Sequence, residues 1–115
     1  MYSLSVNEEP RTQFVTAVND GSLRSMELLI NFKCLIVRQL PKMQKEHIIR
    51  LIFDPRHSSI LLIEGSRNII GGICFRVFEE LSVAEIAFLV VKAEEQVKGF
   101  GTKLMDQLKG TILMT

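Results

Sequence analysis

Three apolar runs crowded into the second half of the chain constrain its fold most. Ser59–Ile63, Ile69–Phe78 and Val83–Val91 are dense in Ile, Leu, Val and Phe. Only Glu64-Gly65-Ser66-Arg67 and Glu79-Glu80-Leu81-Ser82 separate them as turns. A turn that short cannot hold a crossover helix, so successive runs must lie antiparallel. The result is a strand meander whose apolar faces need covering by other parts of the chain.

The covers are legible on either side. Asn19-Asp20-Gly21 is a turn signal, and Ser22 is an N-cap candidate. After it, Leu23, Met26, Ile30, Cys34 and Val37 recur at helical spacing, a face widened by Leu29, Leu35 and Ile36. Pro41 ends this helix. Lys42–His47 can add a short helical turn, and from Ile48 the period changes, Ile48–Phe53 being apolar and β-branched. Ahead of the helix, Gln13–Val18 suits a short edge strand, and residues 1–11 form a loose, polar lead-in to a domain over 12–115. At the far end, Phe100, Leu104 and Leu108 stand four apart on a helix that Gly99 opens and Gly110 stops, leaving Thr111–Thr115 to begin another strand. The order β-α-(α)-β-β-β-α makes this an α+β (mixed α/β) domain.

Composition narrows the function classes. With 47% hydrophobic residues and a net charge of +1, the chain is neither disordered nor attracted by charge to nucleic acid or an anionic membrane. The longest apolar run, Ile86–Val91, is far shorter than the 18 or so residues of a membrane span. Glu8 and Glu9 with no basic residue before Arg11 do not make a secretory signal. Cys34 and Cys74 match no metal or disulfide pattern, which favours a reducing, intracellular setting and no metal site. Both read as packed thiols, and His47 and His57 as surface histidines.

Gln96-Val97-Lys98-Gly99-Phe100-Gly101-Thr102, between a strand and a helix, carries the chemistry. A helix start offers unpaired N–H groups and the positive end of the helix dipole. Gly99 and Gly101 leave room for a phosphate, Lys98 adds charge and Thr102 a hydroxyl. The run is neither a P-loop nor a dinucleotide fingerprint. By pattern alone, a Gly-x-Gly here is more often a tight turn than a binding site. Glu85 is the second candidate. It reads either as an outward, solvated residue or as a partly buried carboxylate with no nearby cation, whose raised pKa would suit a general base.

Several runs together are more specific. Arg38-Gln39-Leu40-Pro41-Lys42-Met43-Gln44-Lys45-Glu46-His47-Ile48, Leu51–Pro55, Ile69-Ile70-Gly71-Gly72-Ile73-Cys74-Phe75-Arg76, Ala84–Val91 and Glu95–Thr102 follow in order. Over roughly residues 13–110 the chain resembles the catalytic domain of GNAT-superfamily histone acetyltransferases, in the general-control-nonderepressible/PCAF branch. The resemblance implies a GNAT-like twisted mixed sheet flanked by helices, with two strands splayed to admit acetyl-CoA as cosubstrate. It implies that Gln96–Thr102 takes the CoA pyrophosphate and that Leu89, Val90 and Val91 pair with the pantetheine arm. It puts the Leu89 N–H at the thioester carbonyl and Glu85 as the base that deprotonates a histone-tail lysine. It implies a nuclear enzyme working with transcriptional coactivator subunits, without direct nucleic-acid or membrane contact. The family domain continues beyond the point matching Thr115, with more sheet and a helix bearing Tyr-Phe, whereas Tyr2 is the only tyrosine here. The expectation is therefore a domain lacking its C-terminal part, and the alternative is an inactive truncated fragment or interaction module.

Overall fold

The computed structural model of the protein describes residues 12–65, 68–92 and 99–113. The elements are β1 (Thr12–Ala17), α1 (Leu23–Gln39), α2 (Lys45–Ile52), β2 (Ser58–Glu64), β3 (Asn68–Phe78), β4 (Val83–Val91) and α3 (Phe100–Leu113). The strands stand in the order β1-β2-β3-β4, and each pairing is antiparallel. The α+β order read from the sequence holds. The lead-in over 1–11 lies outside the described residues.

The helices cover both faces of the sheet. Along β2 the side chains alternate, as a pleated strand requires. Leu61 and Ile63 join Leu28, Leu29, Phe32, Leu35 and Ile36 of α1 and Ile48 and Ile52 of α2 in one core. Ile60 and Leu62 join Ile70, Ile73, Phe75 and Val91 with Leu104 and Leu108 of α3 in the other. A strand covered on both faces must be apolar at successive positions, which is why Ile60–Ile63 has no polar alternation. Each such buried side chain is worth about 1.5–3 kcal/mol of transfer free energy.

Gly72 shapes the α1 face. A Cβ there would stand 2.7 Å from the Phe32 ring and 2.8 Å from Leu61 Cδ2. The missing side chain leaves the recess that the Phe32 ring fills against β3.

Several expectations are corrected. The buried face of α1 is Leu28, Leu29, Phe32, Leu35 and Ile36, while Leu23 and Ile30 are exposed. Cys34 is also exposed rather than packed. The predicted stripe and the true one are both apolar, and the Gly72 recess selects the one carrying Phe32. Ile48–Phe53 is not a break in helical period. Ile48 and Ile52, four apart, are the buried positions of α2. Gly110 does not stop the last helix, which runs on to Leu113, so Thr111–Leu113 start no strand. Ser22 caps α1 as expected, its hydroxyl accepting from the Ser25 N–H at 3.2 Å. His57 is buried, with Nδ1 3.7 Å from Asp54 Oδ2 and without a hydrogen bond.

Candidate functional site

The site is built on β4, the last strand of the sheet among the described residues. The Lys92 N–H donates to Ile70 O at 2.7 Å. Main-chain groups of alternate residues point the same way, so Val90 also faces β3, and Leu89 turns its N–H to the other edge. Val90 and Val91 are buried, on the α1 and α3 faces respectively. The Leu89 side chain, opposite Ile73 on the α3 face, is 42% exposed.

Downstream, Gly99 has φ +77°, a conformation that favours glycine. Its carbonyl accepts from the Lys103 N–H at 3.2 Å. The N–H groups of the first turn of α3 have no partners within the helix. Among the described residues, nothing beyond the glycine's own chain neighbours and helix backbone lies within 4 Å of where a Cβ would stand on Gly99 or Gly101. Both glycines thus leave open space at the helix start. Phe100 tucks its ring against the α3-side core, with Lys103 Nζ 5.2 Å from the ring centroid. Thr102 is exposed. Gln96, Val97 and Lys98 lie outside the described residues.

Glu85 differs from its expected surroundings. It is exposed rather than partly buried. Nor is it remote from cations, because Arg76 of β3 stands directly opposite it in the antiparallel register. The Arg76 guanidinium instead lies over the Phe78 ring, 4.5 Å from its centroid. β4 carries a bulge beside the site: Cys74 opposes Phe88 and Phe75 opposes Ile86, leaving Ala87 as the extra residue. A bulge bends the strand and re-aims the side chains around it.

Other candidates are structural. Burial pushes the Cys74 thiol up to about 11, leaving it un-ionised at neutral pH. The Asp54 carboxylate accepts from the Arg56 backbone N–H at 2.9 Å and from its guanidinium at 2.8 and 3.1 Å. Those bonds hold it well below the usual carboxylate range. Among the described residues, no three His, Cys, Asp or Glu side chains gather as a metal site. The sequence alone did not show that Arg76 would stand opposite Glu85, which the register of β3 and β4 decides.

A sheet sandwiched by helices, whose last strand leads to a glycine-opened helix start, defines an α+β domain suited to a phosphate-bearing ligand. The pattern of the Acetyltransferase (GNAT) family matches residues 25–112, and the chain belongs to that family. It is 42% identical over 102 residues to the histone acetyltransferase GCN5 of Oryza sativa subsp. japonica, an alignment covering 89% of this chain and 20% of that protein. Its fold matches the crystal structure of Tetrahymena GCN5 with a TM-score of 0.82 and 47% identity, over 87% of this chain and 62% of that one. It also matches the Tetrahymena GCN5 catalytic domain in complex with coenzyme A, with a TM-score of 0.74 and 44% identity, over 93% and 64% of the two chains. The chain thus spans about a fifth of the curated relative's length and under two thirds of the solved domains.

Proposed function

We propose that this domain serves a protein lysine acetyltransferase, transferring acetyl from acetyl-CoA to a lysine of a histone tail. The observation that carries the reading is the placement of three features on one strand and the helix after it. These are the Leu89 N–H on the edge away from β3, the open glycine turn at the α3 start and the Glu85 carboxylate further back along β4. The names of the GCN5 relatives and the coenzyme A complex support the substrate classes.

Acetyl-CoA supplies the activated acetyl group as a thioester. The residues present suit it: the glycine turn has space for a pyrophosphate, and the first-turn N–H groups of α3 would hold its negative charge. Gln96–Lys98 complete that loop in the sequence. Leu89 would donate its N–H to the carbonyl oxygen as that oxygen gains negative charge. Val90 and Val91, buried on opposite faces, would anchor the strand beneath the pantetheine arm.

Glu85 would accept the proton that the lysine ammonium must lose before its nitrogen has a lone pair to attack with. Four residues along a strand separate Glu85 from Leu89, about 13 Å. That exceeds a hydrogen bond, so the proton travels through water to reach Glu85. A nuclear location and coactivator partners are part of the same proposal; the histone acetyltransferase names of the relatives support the nuclear location.

The test is Glu85→Gln, which keeps shape and removes the base. Turnover at neutral pH should fall by about 10²–10⁴-fold. The loss should shrink as pH rises and free lysine amine accumulates, and coenzyme A affinity by calorimetry should be unchanged. Near-normal turnover at pH 7 would remove Glu85 from the reaction.

A further inference from the structure

We propose that the outer face of α1 docks a partner helix, one with an apolar stripe rimmed by acidic residues. The inference stands apart from the acetyltransferase reading, because α1 and α3 pack on opposite faces of the sheet. It starts from α1 being apolar on two sides. The core side is Leu28, Leu29, Phe32, Leu35 and Ile36. At about 100° per residue, Leu23, Met26, Ile30, Cys34 and Val37 fall within ~80° of arc on the side away from that core. Leu23 is 88% exposed and Ile30 45%. Cys34 is exposed too, and Met26 and Val37 are half-buried. A helix that had only its own sheet to cover would carry polar residues there. Scattered apolar residues on a surface need no explanation, whereas a contiguous apolar stripe marks a place where something binds.

Spacing says that the occupant is a helix. Leu23, Met26, Ile30, Lys33 and Val37 follow one another at steps of three, four, three and four, the a and d positions of two heptads. A seam with that period meshes with the side chains of a second helix. From Leu23 to Val37 it runs for about 21 Å at 1.5 Å per residue, four turns of helix.

Charge selects the kind of helix. α1 carries Arg24, Lys33 and Arg38 against one acid, Glu27. Lys45, at the start of α2, joins Lys33, Cys34, Val37 and Arg38 around a shallow groove of about 200 Å³ on this face. The C-terminal half of the stripe is therefore ringed by cations. A second copy of this chain would bring its own cations to the same seam. A helix with Asp or Glu beside its apolar positions would instead pair with them, its apolar contacts holding the complex and its charges steering the encounter. Lys33 occupies a d position within the seam itself, three residues from Ile30 and four from Val37. A charged residue there fixes register and partner choice at a cost in stability, and a carboxylate opposite offsets that cost. The stems of Lys33 and Arg38 widen the apolar surface while their charged ends reach the rim.

The experiment uses the whole chain and a synthetic probe, a capped peptide of about three heptads with Leu at a and d and Glu at e and g. An analogue with Lys in place of Glu is the control. Titrated into nitrogen-15-labelled protein, the acidic peptide should move amide signals along α1 and leave those of α3 in place. Its dissociation constant by fluorescence anisotropy should rise several-fold between about 50 and 500 mM salt, because the rim contacts are screened. Ile30→Asp changes a residue that is already 45% exposed, so the fold should hold by circular dichroism while binding weakens at least tenfold. The double variant Lys33→Glu, Arg38→Glu should lose the acidic peptide and take up the Lys analogue, an exchange that a folding defect cannot produce. No movement of α1 signals at millimolar peptide would overturn the proposal. Equal binding of the two peptides would do the same, since charge would then select nothing. Ile30-dependent self-association of the chain in sedimentation, tighter than its binding to the acidic peptide, would give the face to a second copy and overturn it as well.

Discussion

Gly71→Ala should destabilise this protein despite adding a single methyl. A Cβ at Gly71 would stand 2.7 Å from Val90 O, 3.1 Å from Val91 Cα and 3.3 Å from Val91 Cγ2. The first contact is the severe one, and it is with main chain. A flexible side chain could swing away, whereas Val90 O belongs to a strand paired with β3 over eight register positions. Relief requires β3 and β4 to part or slide locally. Overpacking of this kind costs about 1–3 kcal/mol. Replacing glycine also restricts the unfolded chain, which returns about 0.4–1 kcal/mol. The net loss should be about 1–2 kcal/mol, or roughly 5–10 °C in Tm for a domain of this size. Urea denaturation followed by far-ultraviolet circular dichroism measures it. Gly110→Ala is the matched control. It lies within α3 with nothing among the described residues, its own helix backbone aside, within 4 Å of its Cβ position. That variant should gain about 0.5–1 kcal/mol. A Gly71→Ala protein as stable as the parent would refute the argument that close approach of β4 requires glycine at this position.

Other outcomes follow from single residues. Cys34 is exposed and Cys74 buried, so iodoacetamide should label Cys34 in the folded chain and Cys74 only on unfolding, as peptide mass spectrometry would show. The folded state holds the Cys74 proton more tightly than the unfolded state, at about 11 against 9.0. That contribution is whole below pH 9 and is lost as pH rises toward 11, up to about 2–3 kcal/mol. Cys74→Val should flatten the alkaline fall in urea midpoint. Ser22→Ala removes the hydroxyl that accepts from Ser25 N–H and should cost about 1 kcal/mol in the same denaturation assay.

What the amino-acid order determined by itself is the part governed by neighbours in sequence. Short turns between β-branched runs required an antiparallel meander, and the structure has it from β2 to β4. The Ser22 cap and the Phe100, Leu104 and Leu108 stripe are equally local, since hydrogen-bond reach and helical spacing are properties of a few residues. The glycine turn at the start of α3 belongs with them, because Gly99 and Gly101 announce a backbone that side chains would obstruct. Tertiary structure decided the rest. α1 is apolar on too many sides for its period to name one face, and the recess at Gly72 selected Phe32 over Ile30 and Cys34. The run from Ile48 suits strand by composition, yet α2 forms because Ile48 and Ile52 find the α1 core one helical turn apart. Gly110 weakens a helix too little to stop α3 at that point. The surroundings of Glu85 were the least legible, because the arginine across the hairpin is set by the register between two strands. Register is a long-range property, settled only when two strands choose which of their residues face each other.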